Sequence, residues 1–365
     1  MVTNGVLFVP DLALERWASM ERYAEEIARR LSVVVPSEAA TMRGPRYVAR
    51  YLLYPRRLAR YHPRAVHVAD HAYAHCLRGF PGIPSVVTIH DLYPVHSLAA
   101  RGRSPRTGLR NALLAHTLRW LRQASRWIAV SDFTAGEAVR LLALPAERVT
   151  VIHSGVDAAF AAVPESAAVA ALRRAWLGRM RGVVEGGTRV VLHVGSCVPR
   201  KRVEVAIGAV GELCRAGVDA ALVQIGGRFG AEHRRAAAAA GVGDRVLECG
   251  AVDEATLRLA YHAADALALP SSYEGFGFPA LEAQAAGLPV ATSGAGGLAE
   301  AVGEAGLLVE PCTPRALADA LARLLTDAAL RDGLVAAGRA RAKLRTWDRT
   351  AGAVREVYAA LGAAA

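Results

Sequence analysis

The chain has 365 residues, 53% of them hydrophobic and 21% charged, with a formal net charge of +11. A single hydrophobic core rarely grows past about 250–300 residues, so two domains are expected, and the globular composition excludes a long disordered tract. No apolar run reaches the roughly 18 residues that a membrane span needs, and the N-terminus lacks the basic region and cleavage site of a signal peptide.

In chain order, Val6–Val9 read as a first buried strand. Trp17, Met20, Ala24, Ile27, Ala28 and Leu31 recur at helical spacing and predict a helix over 16–31. Short β-type runs follow at Ser32–Val35, Val66–Val68, Val86–Ile89, Trp127–Val130 and Val149–Ile152, with helices at Arg110–Gln123 and Thr134–Leu142. The pattern pauses over Ser154–Gly187, which holds one short helical segment. It then restarts with strands at Val190–Val194, Ala220–Ile225, Val246–Glu248, Ala266–Leu269, Pro289–Ala291 and Gly306–Val309. The intervening helices are Val203–Ala216, Glu232–Ala240, Glu254–Ala263, Pro279–Ala286, Leu298–Ala301 and Pro314–Thr326, and Leu330–Ala342 and Thr350–Leu361 close the chain. Strand–helix alternation with short apolar strands predicts an α/β architecture of two doubly wound parallel-sheet domains. Such domains in tandem have a cleft between them, with strand carboxyl ends facing it. The expected boundaries are 1–160, 161–345 and a last helical segment, 346–365.

The charge is uneven. Residues 1–158 carry a net charge of +9 and the remainder +2; within 43–126 there are 15 Arg against two acids, Asp70 and Asp91. Such a face attracts nucleic acid, anionic lipid or phosphorylated substrates. Codon bias in a GC-rich genome explains Arg over Lys, but not the shortage of acids. The five cysteines (Cys76, Cys197, Cys214, Cys249, Cys312) are scattered, and CxxC and HExxH are both absent. A disulfide framework and a structural zinc site are not expected, and a reducing cytoplasm fits.

Two stretches carry chemistry. In Leu269-Pro-Ser-Ser-Tyr-Glu-Gly-Phe-Gly-Phe-Pro-Ala-Leu-Glu282 a strand ends and a glycine loop leads into a helix with Pro279 near its start. Backbone N–H groups at that helix start form a natural diphosphate site. Glu274 and Glu282 would repel phosphates, so they are expected to accept hydrogen bonds from sugar hydroxyls. In Val190-Val-Leu-His-Val-Gly-Ser-Cys-Val-Pro-Arg-Lys-Arg202 a strand runs into a turn at Gly195-Ser196, and Arg200-Lys201 are expected to open the next helix. Two cations there can neutralise a diphosphate leaving group. Lys201 is one of only two lysines, with Lys343. The plain alternative for these cations is a solvated basic helix start.

Together these stretches resemble retaining glycosyltransferases of the GT-B fold, specifically glycosyltransferase family 4. Glu274 and Glu282 fit its Glu-x7-Glu motif with Gly-Phe-Gly inside, and Pro199-Arg200-Lys201 is similar to the Pro-Arg-Lys of a mannosyltransferase-like branch. Thr88-Ile-His-Asp-Leu92, Val130-Ser-Asp-Phe-Thr134, Ile152-His-Ser-Gly-Val-Asp157, Gly296-Gly297 with Glu300, and Gly306-Leu-Leu-Val-Glu-Pro311 match in the same order. The resemblance implies two Rossmann-like domains, acceptor-binding then donor-binding, with the final helix returning to the first. It implies transfer of a hexose, mannose among the candidates, from a nucleotide-diphosphate sugar to a hydroxyl acceptor such as a glycan or lipid-linked saccharide. Arg200 and Lys201 would hold the diphosphate, Glu282 the ribose and Glu274 the transferred sugar. Gly275, Phe276 and Gly277 would approach sugar or phosphate, Val252 the base, and His90 would reach across the cleft to the sugar. No cofactor and no metal are expected, in agreement with the lack of any Asp-x-Asp pair.

Two departures stand out. Ala18-Ser19 replaces a frequent Gly-Gly pair before the first helix, and Ser196 replaces a frequent Arg, which leaves Arg200 as the substitute phosphate ligand. His90 also reads as a packed strand-end histidine, Asp91 as a turn former and Asp157 as a structural strand end. Neither Gly294–Gly297 nor Gly226–Gly230 has dinucleotide spacing. Tyr51-Leu-Leu-Tyr-Pro-Arg-Arg-Leu-Ala-Arg-Tyr61, Arg101–Arg106 and Arg119–Arg126 suggest docking on an anionic, cytoplasmic membrane face. A solvated Arg-rich surface is the alternative. Nucleic acid is not expected as a partner, because no binding motif accompanies the charge. Within the fold, a non-catalytic sugar-nucleotide binder is the rival reading.

Overall fold

The computed structural model describes residues 5–15, 17–99 and 105–363; the expected basic stretch 101–106 lies almost wholly outside them. The chain divides into two compact units. One holds the residues up to Gly155 together with those from Trp347 on, and the other is Val156–Thr346.

The first unit is built on five parallel strands, β1 (Val6–Val9), β2 (Ala65–Val68), β3 (Ser85–Ile89), β4 (Arg126–Ala129) and β5 (Val149–Val151), in that spatial order. β1 to β3 are buried throughout, as strands covered by helices on both faces must be. The strand expected at Ser32–Val35 shrinks to a single parallel bridge between Val34 and Leu7, on the side of β1 away from β2. Phe8 N donates to Val34 O and Val34 N to Val6 O, both at 2.9 Å. Pro36 follows with no N–H to continue the ladder, and Val35 is exposed. The chain therefore leaves β1 to one side and returns to β2 on the other.

The helix Ala18–Arg30 starts on Ala18-Ser19 themselves, so the segment that replaces Gly-Gly forms a first helical turn. The closing helix Trp347–Ala359 packs within this unit. Arg30 Nε donates to Asp348 Oδ1 at 2.6 Å, and Tyr358 OH meets His67 Nδ1 at 2.5 Å. His67 Nε2 in turn meets Thr88 Oγ1 at 2.8 Å, so Thr88 and His67 form a polar pin through the sheet. Arg46–Leu58 is helical, with a π-helical turn over Ala49–Leu53. Tyr54 and Leu58 face the core, whereas Tyr47, Val48 and Leu52 are exposed.

The second unit has six strands: β6 (Arg189–Val194), β7 (Ala220–Ile225), β8 (Val246–Gly250), β9 (Ala266–Leu269), β10 (Val290–Ser293) and β11 (Leu307–Val309). All pairings are parallel and the order is β11-β10-β9-β6-β7-β8. The chain runs outward from β6 through β7 to β8, then returns to the other flank of β6 as β9. The pausing segment holds a full helix, Ser166–Leu177. Side-chain caps fix several helix starts: Asp253 accepts from Thr256 N at 2.7 Å, and Thr313 from Ala316 N at 3.2 Å. No described helix is long and apolar enough to cross a membrane.

Each unit thus has one point where the strand order reverses, between β1 and β2 and between β6 and β9. In open α/β sheets such a point opens a crevice at the carboxyl ends of the strands, and ligands bind there.

Candidate active site

The reversal in the second unit collects the residues singled out above. β9 ends at Leu269, and the chain turns through Ser271–Gly277 into the helix Phe278–Ala286. Gly277 is its N-cap at φ 114°, a left-handed backbone that favours glycine. The helix directs the positive end of its dipole toward this loop.

From the neighbouring strand, β6 ends at Val194, and Pro199–Lys201 form one 3-10 turn. The helix expected to open at Arg200-Lys201 begins only at Val203. Arg202 has a left-handed backbone, φ 50°, which separates the turn from the helix. As a result the turn docks on the loop after β9. Ser272 N donates to Arg200 O at 2.7 Å, and Arg200 Nη1 donates to Tyr273 O at 3.1 Å.

Three charges meet in this contact. Glu274 Oε2 accepts from Arg200 Nη1 at 3.2 Å, and Oε1 accepts from Lys201 Nζ and, at 2.8 Å, from Ser271 Oγ. Burial alone would raise the Glu274 pKa, but Lys201 and Arg200 hold it below the usual carboxylate value. One carboxylate against two cations leaves a net positive charge. A lysine ammonium has three donors, and the bond to Glu274 uses one. The cluster can therefore keep its internal pairing and still meet an anion.

A second loop clamps the first. Gly297 N donates to Glu274 O at 2.8 Å. A Cβ on Gly296 would lie 2.2 Å from Glu274 O, and one on Gly297 2.3 Å from Gly275 O. Backbone packs on backbone here, so only glycine fits. Glu282, buried in the helix after the loop, accepts from Tyr261 OH at 2.6 Å. Gly275, Phe276 and Gly277 are buried in the loop itself. Ser196 lies exposed after β6, and Val252 lies half-buried between β8 and the helix Glu254–Ala263. Among the described residues no hydrogen bond or ion pair ties Ser196 or Val252 to the Glu274 cluster.

His90 belongs to the first unit, just after β3. Its Nε2 lies 2.8 Å from Ala69 O. A carbonyl only accepts, so Nε2 carries the hydrogen; burial, only partly opposed by Asp70, lowers the pKa and keeps the ring neutral. Nδ1 is then an acceptor for a ligand hydroxyl. Asp91 Oδ1 accepts from Tyr93 N at 3.1 Å, a turn-forming role. Asp157 caps a 3-10 turn through Ala159 N at 2.8 Å.

Sequence reasoning did not single out Ser271 or Tyr261, the neutral donors to the two glutamates. Ser271 had a signal, its position three residues before Glu274 on the same loop. Tyr261 had none, since it reaches Glu282 from another helix.

Comparison with known proteins matches residues 13–160 to the family model described as Glycosyltransferase Family 4, and residues 180–341 to Glycosyl transferases group 1. A D-inositol 3-phosphate glycosyltransferase of Salinispora arenicola is 34% identical over 290 residues, covering 76% of this chain and 63% of the relative. One from a Nocardioides species is 32% identical over 297 residues, covering 76% and 62%. The chain thus spans under two thirds of the length of these curated relatives. Among solved structures, sucrose-phosphate synthase from Thermosynechococcus elongatus superposes with TM-score 0.76 at 22% identity, covering 98% of this chain and 99% of that one. Anabaena HepE, solved with UDP and glucose, gives TM-score 0.76 at 19% identity, covering 98% and 100%.

Proposed function

Because the chain belongs to glycosyltransferase family 4, has the GT-B fold and is a glycosyltransferase, we propose that it transfers a hexose, with mannose a candidate, from a nucleotide-diphosphate sugar to a hydroxyl acceptor, with retention of configuration and without a metal ion. The observation that carries this reading is the set of half-buried Arg200 and Lys201 paired with buried Glu274 at the reversal between β6 and β9. The cations and the helix start at Gly277 receive the diphosphate, and their charge opposes the negative charge that builds on the leaving group. Glu274 and Glu282 accept hydrogen bonds from sugar and ribose hydroxyls. Gly275 to Gly277 supply close backbone, with Ser196 and Val252 at the periphery of the nucleotide. His90 presents Nδ1 to a sugar hydroxyl. The named relatives are D-inositol 3-phosphate glycosyltransferases and a sucrose-phosphate synthase, and HepE was solved with UDP and glucose; small polyols and sugars, free and phosphorylated, are therefore the acceptors to try first.

The test is a panel of UDP-, GDP- and ADP-sugars scored for nucleotide release, with and without EDTA, and product anomers read by NMR. We expect one donor to turn over, EDTA to have no effect and the anomer to be retained. Release with none of them overturns the donor reading, and EDTA inhibition overturns the metal-free one.

A membrane-docking role for the first unit is favoured by one feature. Tyr47, Val48 and Leu52 stand exposed on the Arg46–Leu58 stretch beside exposed Arg43, Arg46, Arg56, Arg57 and Arg60. Apolar side chains among arginines suit an anionic lipid surface. Flotation with phosphatidylglycerol vesicles at low salt tests it, and equal recovery with neutral vesicles contradicts it.

A further inference from the structure

The first unit has its own strand-order reversal, between β1 and β2. Asp11 follows β1, and Asp70 and His71 follow β2, the two strands that flank the reversal. All three side chains are buried: Asp11 is 7% exposed, Asp70 3% and His71 7%. Among the described residues no hydrogen bond reaches either carboxylate oxygen of Asp11. Its carboxyl faces that of Asp70. Burial first, and then Asp70, push the Asp11 pKa well up, which favours its neutral acid form.

Asp70 Oδ1 accepts from Ala72 N at 3.0 Å and lies 2.8 Å from His71 Nδ1. Burial would lower His71, but the Asp70 carboxylate outweighs it and raises the pKa. Asp70 thus occupies the Nδ1 side of the ring and leaves Nε2 for a ligand. The charges around the pair nearly cancel. Arg46 and Arg50 share Glu15, which leaves one positive charge, Asp91 supplies one negative charge, and burial keeps His90 neutral.

We propose that His71, positioned by Asp70 and by the buried Asp11 carboxyl, recognises a hydroxyl of a neutral, polyhydroxylated acceptor ring. The inference rests on the glycosyltransferase reading and gives its acceptor a chemical class. Hydroxyls both donate and accept, so they match a niche that offers an imidazole N–H and carboxyl oxygens together. A phosphate would face Asp70 and Asp91, with both nearby arginines already drawn to Glu15. An ammonium would face His71.

The test uses the full chain and three probes: methyl α-D-mannoside, myo-inositol and glucose 6-phosphate. Binding is followed by saturation-transfer NMR, and nucleotide affinity is measured on the same samples as a check on folding and on the donor side. His71→Gln should weaken binding of the neutral probes about tenfold or more, as expected for loss of a hydrogen bond to a charged or paired group. Asp70→Asn keeps the capping oxygen for Ala72 N, and should move the pH dependence of probe binding to lower pH, because His71 loses the carboxylate that raises its pKa. Unchanged probe binding in both variants overturns the proposal, as does preference for glucose 6-phosphate or no neutral probe binding to the wild type. Loss of nucleotide binding by the wild type would instead refute the donor reading, so the two failures are distinguishable.

Discussion

Lys201 and Glu274 form a charge pair in which each side chain is only 11% exposed. Removing one partner of a buried pair leaves an uncompensated charge and costs about 3–5 kcal/mol. Glu274→Gln leaves two cations facing each other, so the free protein should lose about 3–5 kcal/mol of stability and most of its transfer activity. A nucleoside diphosphate restores the missing negative charge. Thermal denaturation should therefore show a larger nucleotide-induced rise in Tm for Glu274→Gln than for the wild type. An equal rise in both would separate the anion site from this cluster.

Gly296→Ala should be damaging for a reason unrelated to charge. Its Cβ would sit 2.2 Å from Glu274 O, and its φ of 65° already disfavours a side chain. We expect a loss of about 1–3 kcal/mol and a lower kcat as the Glu274 loop shifts. Wild-type kcat in Gly296→Ala would show that the loop position is not critical.

Tyr261→Phe removes the donor to a buried carboxylate. Glu282 then loses a 2.6 Å hydrogen bond, at a cost of about 1–3 kcal/mol. If Glu282 holds the ribose, the donor KM should rise several-fold while kcat changes little. A fall in kcat at constant KM would assign Glu282 to the transition state.

Acid should destabilise the fold. His67, His75 and His193 are buried and neutral, each lowered from 6.5 to about 3, chiefly by burial. Their contribution is fully present above pH 6.5 and is lost as the pH falls from there toward 3, because the unfolded chain takes up protons first. Glu274 adds to the loss at the low end, as the pH falls through its lowered pKa. Tm should drop steadily below pH 6.5, and His193→Gln should lessen the drop between pH 6.5 and 4. A flat Tm from pH 7 to 4 would contradict the buried, neutral assignment.

The second unit was almost fully legible in the sequence because local signals agree there. Ala220–Ile225, Glu254–Ala263, Ala266–Leu269 and Pro314–Thr326 have the predicted bounds, since Gly, Pro, Asp and Thr punctuate them. The first unit was less so. Arg46–Leu58 alternates Arg with apolar residues on both faces, and its π-helical turn has no sequence period, so it read as a surface stretch. At the site, proximity in the chain exposed Glu274 to Glu282, but the turn at Arg202 was illegible, because a left-handed Arg has no compositional mark. Asp11, Asp70 and His71 were missed because each is an ordinary strand-end residue until the pairing of β1 with β2 and Val34 brings them to one reversal point.

The central claim is that a nucleoside diphosphate sits against Arg200 and Lys201 at the reversal between β6 and β9. Calorimetric titration of UDP, GDP and ADP into the wild type and Lys201→Ala tests it most directly. We predict that one nucleotide binds the wild type and that Lys201→Ala weakens it about tenfold to a hundredfold, the loss of one charge-assisted hydrogen bond. Equal affinity of a folded Lys201→Ala for that nucleotide, or no binding by the wild type, would contradict the account.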